Sequence, residues 1–176
     1  MNDASGLEPG KTTTIFAERK VIELSATDKP FKLQNMLKTS WNSRGLVTCT
    51  GPSFDKTFVQ NRIVWEQPAP ARRVVVTKLF GSANDRRVIQ EIGRESIKIG
   101  FLDIDQLLGV EKEADGTVFP LYGRTYFFAR DPYNVLCLCF LMRDEDGWRI
   151  DCLEMGQRLN SLSGSVIHRF DDTCGT

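Results

Sequence analysis

A single histidine, His168, serves the whole chain of 176 residues. Imidazole is the side chain that titrates nearest neutral pH, so one copy leaves little room for multi-histidine metal sites or proton relays. An excess of charge of either sign is missing too, because 23 Lys and Arg balance 23 Asp and Glu. Without net positive charge the chain lacks the broad field that dominates nucleic-acid affinity, and it has no polybasic segment for anionic membranes. The longest apolar run, residues 135–142, falls well short of the roughly 20 residues that span a bilayer. The opening MNDASGLEPG is polar and carries no apolar core of a secretory signal. Five cysteines form no paired framework, which predicts free thiols in a reducing, cytoplasmic compartment. There is no repeat at a fixed period and no low-complexity block.

The familiar chemical motifs are incomplete. GLEPGKT, residues 6–12, is one residue short of P-loop spacing and follows no strand. No Gly-x-Ser-x-Gly elbow exists. Asp144, Glu145 and Asp146 before Gly147 read as a charged hairpin turn, since a calcium loop needs a longer spaced set ending in Glu. Cys137 and Cys139 are spaced Cys-x-Cys and no second pair completes a zinc site. On one strand their Cα atoms stand about 6.6 Å apart, two rises of about 3.3 Å, at the edge of disulfide reach. They read as small buried hydrophobes. The sequence therefore assigns no catalytic residue, no metal site and no cofactor.

What is present is globular. Apolar residues make up 41% and charged residues 26%, enough apolar content for a core and too little net charge for a disordered chain. Residues 1–11 read as a tail, 12–170 as a single α+β domain and 171–176 as a second tail. EQPAPARR, residues 66–73, is a stiff connector that reads as a loop or as a boundary between lobes.

Strands are predicted over 12–25, 45–50, 59–66, 74–80, 95–102, 124–130, 134–143 and 148–155. The segment 51–56 reads as a turn. A helix is predicted over 27–41, with Asp28 as cap, Pro30 in the first turn, and Phe31, Met36 and Leu37 as the buried stripe. A second spans 82–93, with Ser82 and Asp85 as a capping pair, Val88, Ile89 and Ile92 inward, and Gly93 as stop. A single turn covers 103–109, capped by Asp103 and stopped by Gly109. Asp115-Gly116 and DPYN, residues 131–134, supply hairpin turns. The segment from 156 onward has one apolar patch, Val166-Ile167.

The strand from 135 is apolar on both sides. Val135, Cys137, Cys139 and Leu141 share one face, and Leu136, Leu138, Phe140 and Met142 the other. Such a strand is covered twice, by helices, by a second sheet or by another subunit. The fold class expected is α+β, a curved, mostly antiparallel sheet with two or three short helices.

Two stretches resemble known families. FLDIDQLL, residues 101–108, is similar to the first motif of haloacid-dehalogenase-like phosphatases. That resemblance implies Asp103 as nucleophile and Asp105 as acid/base. Gln106 and Leu107 stand where the motif has Gly-Thr, and Asp103 as a helix cap explains the same letters. Residues 121–155 resemble in outline the C-terminal meander of NTF2-like, cystatin-related domains: a long apolar strand, an acidic Gly turn and a strand beginning Trp-x-Ile, as in DEDGWRID. The family hosts both enzymes and assembly modules, so the resemblance implies a fold without a function.

Three functional classes follow. The first is a non-catalytic interaction or assembly subunit that self-associates, a viral or phage structural protein being one form of it. The second is a small-molecule enzyme or binder with a pocket in the sheet, its polar groups drawn from Asp103, Asp105, Tyr122, Arg124, Tyr126 and Asp151. The third is a nucleic-acid-binding module using Arg72, Arg73, Arg86 and Arg87 with the aromatics of 124–130, although alternation splits those aromatics between two faces. A closed pocket with a perturbed carboxylate favours the second class, and an exposed apolar patch the first.

Overall fold

A computed structural model of the protein describes residues 15–60, 64–80, 83–111, 118–119, 123–156, 158–159 and 164–170. The tails at 1–11 and 171–176, Ser82, the Asp-Gly turn at 115–116, Tyr122 and Cys174 lie outside the described residues.

The elements run β1 (Phe16–Leu24), β2 (Phe31–Lys32), a 3-10 turn (Leu33–Asn35), β3 (Val47–Thr50), α1 (Pro52–Phe54) continuing as a π-helical turn (Asp55–Val59), β4 (Trp65–Glu66), β5 (Arg72–Leu79), β6 (Ala83–Asn84), α2 (Asp85–Ile92), α3 (Phe101–Glu111), β7 (Thr125–Arg130), β8 (Leu136–Asp144), β9 (Gly147–Leu153), β10 (Arg158–Leu159) and β11 (Ser165–Arg169). Seven strands form one sheet in the order β1-β5-β11-β7-β8-β9-β3. The β11–β7 and β3–β9 pairs are parallel, and the other four are antiparallel. Strands β2 with β4 and β6 with β10 form two small ribbons. The fold is thus α+β, a large and mostly antiparallel sheet with three short helices. Strands from both sides of the 66–73 connector share that sheet. No helix among the described residues is long and apolar enough to cross a membrane.

The β8–β9 hairpin follows from its sequence. Asp144 pairs with Gly147 across the two-residue turn, and Gly147 has φ +140, which L side chains rarely adopt. A Cβ there would also meet Thr48 Cγ2 at 2.6 Å. At the other end of β8, Asn134 N donates to Asp131 O at 2.9 Å, and Asp131 Oδ1 accepts from Tyr133 N and Val135 N. This is the DPYN turn with its Asp side chain bracing the backbone.

Several local expectations are corrected. Residues 27–41 form no α-helix, only the 3-10 turn at Leu33–Asn35, because tertiary partners take much of the backbone. Leu33 N donates to Val64 O, Val47 N to Met36 O and Lys38 N to Val47 O, at 3.1, 3.0 and 2.7 Å. Phe31, Met36 and Leu37 are nonetheless buried. Residues 52–59, read as turn and strand start, are helical, with Pro52 in the first turn. Residues 95–102 form no strand, and only Lys98 bridges to Phe128. Helix α3 starts at Phe101 and runs through Gly109 to Glu111, so Asp103 is its third residue and not its cap. Its apolar residues lie nearly all round, which hides a helical period. Helix α2 ends at Gly93 as expected, with φ +95, but its cap is Asn84, whose Oδ1 accepts from Arg87 N at 2.9 Å.

The two faces of β8 are covered by the chain itself. Cys139 and Leu141 join a core with Phe54, Phe58, Phe101, Ile104, Leu107 and Phe127. The Phe101 ring meets those of Phe54, Phe58 and Phe127 edge-on at 5.7, 5.0 and 6.1 Å. Leu138 and Phe140 join a second core with Val88, Ile97, Tyr126, Phe128, Leu159 and Val166. Because both covers are intramolecular, Leu138→Ala and Leu141→Ala should each cost about 2–5 kcal/mol in urea unfolding of dilute protein. A cost below about 1 kcal/mol for either would show that its face is not closed within one chain.

Candidate functional site

The first N–H groups of a helix have no intrahelical acceptor. In α3 two carboxylates meet that need. Glu66 of β4 accepts from Phe101 N through Oε1 at 2.6 Å and from Leu102 N through Oε2 at 3.0 Å. Asp103 reaches back and accepts from Gly100 N at 3.1 Å, one half of a capping box. Its other oxygen is ion-paired with Arg72, and both side chains are largely buried, at 18% and 4% exposure for Arg72 and Asp103.

Arg72 then spreads its remaining donors. Nη2 donates to Gln106 Oε1 at 3.1 Å, and Nη1 to Pro70 O at 3.2 Å and Ser25 O at 3.4 Å. Gln106 Nε2 donates to the same Ser25 O at 3.0 Å. Between its ends the connector is pinned again, where Thr27 N donates to Ala69 O at 2.8 Å and Ala69 N to Thr27 Oγ1 at 2.9 Å. The Pro-rich segment 66–73 is therefore a strap whose ends, Glu66 and Arg72, both bind the first turn of α3.

Beside this strap lies an open cavity of about 1080 Å³, lined by Glu23, Arg72, Arg73, Asp103, Arg169 and Phe170 among others. A second, of about 560 Å³, holds Trp65, Lys98 and Arg130, and shares Glu66, Gly100 and Arg169 with the first. The arrangement is chemically occupied. Glu66 and Asp103 spend both oxygens on backbone N–H groups or a guanidinium, so neither stands free as base or nucleophile. Burial pushes the Glu66 carboxyl above its ordinary range, against the pull of its two N–H donors, and Asp103 adds to the rise.

The other sequence-predicted residues scatter. Asp105 follows on α3, part-buried and raised by burial, and lines neither cavity. Asp151 on β9 accepts from Phe54 N at 3.1 Å and from Cys152 N at 2.8 Å, and so caps α1. A Cβ on Gly51 would fall 1.9 Å from that carboxylate. Tyr126 is buried in the second core, and Arg124 lies over the Phe140 ring at 4.5 Å. Arg73 stacks on Phe170 at 4.2 Å. Arg86 and Arg87 are exposed on α2, with Arg87 paired to Glu91 at 3.2 Å. Tyr126, Phe127 and Phe128 are all buried, on two faces. His168 is held between partners. Nδ1 faces Arg169 O at 2.9 Å and so donates, which leaves Nε2 to accept from the Thr77 hydroxyl at 3.0 Å. Burial lowers its pKa, in keeping with a neutral ring.

One feature escaped sequence reasoning. Trp41 is 97% exposed, on a loop that its neighbour Asn42 braces by hydrogen bonds. Asn42 Nδ2 donates to Asn35 O, Leu37 O and Gln34 O at 2.9, 3.0 and 3.3 Å. Asn42 N donates to Thr39 Oγ1 at 2.9 Å, and Arg44 N to Asn42 Oδ1 at 3.3 Å. Gly45 passes so close to Leu37 that a Cβ would sit 2.3 Å from its backbone. The available signal was a tryptophan inside the polar cluster TSWNS, where loop residues surround it.

Among the described residues no group of three or more His, Cys, Asp or Glu is placed to hold a metal ion. Arg72→Ala leaves Asp103 buried without its partner and should cost about 3–5 kcal/mol in urea unfolding. Arg72→Lys should recover only part, lacking the guanidinium fork.

Glu66 gives a pH signature. Its carboxyl titrates above the ordinary 4.5 in the folded chain, so the folded state holds the proton more tightly than the unfolded state. The resulting stabilisation is complete below 4.5 and is lost as pH rises through the folded value. Against Glu66→Gln, wild type should therefore lose ground in urea midpoints as pH rises from 4.5 through the raised folded value. A constant difference would contradict this.

No family model, curated protein or solved structure matches the chain, so its own geometry is what bears on function.

Proposed function

We propose that the protein is a non-catalytic interaction module that self-associates through the Trp41 loop. The observation that carries this is a tryptophan at 97% exposure on a loop braced by the Asn42 side chain. A free indole in water is costly, and burying it removes about 150–250 Å² of surface. The bracing means that little loop entropy is lost on contact. Tryptophans so placed are enriched among residues that dominate binding energy. Two copies meeting about a two-fold axis would each bring this loop to the contact. The buried carboxylates support the same reading, because they serve main-chain N–H groups and leave no nucleophile–base pair in the strap region.

The cavity of about 1080 Å³ beside the strap favours a second reading, a small-molecule binder. Its size is that of ligand sites, and its lining mixes Arg73 and Arg169 with Glu23.

The test is the concentration dependence of oligomeric state, by light scattering and sedimentation of wild type and Trp41→Ala. Wild type should gain mass as concentration rises, and the variant should associate at least about 30-fold more weakly, as for loss of about 2 kcal/mol. At concentrations where both are monomeric its melting temperature should match wild type, since Trp41 supports no core. A wild type that stays monomeric throughout, or a variant that associates equally well, removes the proposal.

A further inference from the structure

Cys139 and Cys152 face each other directly across β8 and β9. Their Sγ atoms are 3.3 Å apart. Directly opposed residues of antiparallel strands have Cα atoms about 4.5–5.5 Å apart, inside the window of about 4.4–6.8 Å that a disulfide spans. The bond itself is about 2.05 Å long, so closure asks for roughly 1.3 Å of approach. The same-strand pair Cys137 and Cys139 has no such geometry. All three thiols face one core, with Cys139 fully buried and Cys137 and Cys152 at its margin.

We propose that Cys139 and Cys152 are a redox-sensitive pair, closed to a disulfide by low-molecular-weight disulfides such as oxidised glutathione. Cys152, partly exposed, reacts first. It gives its proton to water, and its thiolate attacks one sulfur of the oxidant. The oxidant's S–S bond breaks, a mixed disulfide forms on Cys152, and the first glutathione thiolate leaves and takes up a proton. Cys139 then loses its proton and attacks the Cys152 sulfur, expelling the second glutathione as its thiol. Two protein thiols are oxidised and one oxidised glutathione is reduced to two glutathione thiols. Burial keeps Cys139 out of reach of the oxidant and in its thiol form, and its place 3.3 Å from the Cys152 sulfur assigns it the resolving step. The product is a staple across the central hairpin, reversible by a dithiol.

The experiment treats the full chain with oxidised glutathione, quenches with acid, alkylates the remaining thiols and maps peptides without reduction. Before alkylation the expected result is a monomer lighter by about 2 Da, the two hydrogens lost, and after it the peptides of Cys139 and Cys152 are found joined and unalkylated. Dithiothreitol should restore both thiols. Cys137→Ser should give the same cross-link in the same yield, and Cys152→Ser should give none. The oxidised hairpin should also raise the urea midpoint above that of the reduced protein. A glutathione adduct that persists on Cys152 would overturn the proposal. So would a cross-link to Cys137, or dimers formed only through the exposed Cys49. Thiols that stay intact when folded but oxidise when unfolded would overturn it too.

Discussion

Strand β11 holds the two halves of the sheet together. On one side β5 pairs with it and with β1; on the other β7 pairs with it and leads to β8, β9 and β3. Without its five residues the seven-stranded sheet would part into two. The strand serves both cores as well, since Ile167 packs in one and Val166 in the other. Its ends are tied by main-chain bonds: Leu79 N donates to Gly164 O at 2.9 Å, Arg169 N to Ser96 O at 2.7 Å, and Phe170 N to Arg73 O at 3.1 Å. The only histidine of the chain sits here, its ring closed between Thr77 and the strand's own carbonyl. The β5 end fixed by Phe170 is the end from which Arg72 reaches α3, so the strap and its cavity inherit their position from this seam.

A second regularity concerns buried and half-buried carboxylates. Glu66 and Asp103 serve the start of α3, Asp151 the start of α1, Glu111 the backbone of Val118 and Phe119, and Asp85 that of Arg86 and Gly156. A carboxylate can accept several N–H bonds, and an unpaired buried N–H is costly. Short helices have as many orphan donors as long ones and fewer turns to offset them. This chain supplies the missing acceptors from side chains, and for α3 and α1 it draws Glu66 and Asp151 from distant segments. Acidic side chains that look like chemistry in the sequence are thereby committed to architecture, and the exposed Trp41 stands out against them.

Legibility in the sequence tracked the range of the interaction. The strands β5, β7, β8 and β9, the DPYN turn and the Gly93 stop were readable because alternation and turn chemistry are local. The SVIHR of β11 was not, since five residues in a polar context show no period until neighbours flank them. For α3, burial on almost every side erased the contrast between faces, and FLDI read as strand end and cap. The 27–41 segment has helical spacing, but β3 and β4 claim its backbone. Of the candidate residues, Asp103 and Arg72 do meet, though 31 positions apart; their pairing depends on where the strap crosses α3.

The sequence by itself determined that β8 would be apolar on both faces and covered twice, because side chains alternate along any strand whatever surrounds it. Only the tertiary structure decided what covers it: this chain's own helices on one side, and α2 with the β6–β10 ribbon on the other. The same division holds for the cysteines. Spacing along one strand argued that Cys137 and Cys139 make a poor pair. That Cys139 faces Cys152 follows from hairpin register, which is set across strands and becomes visible only once they are paired.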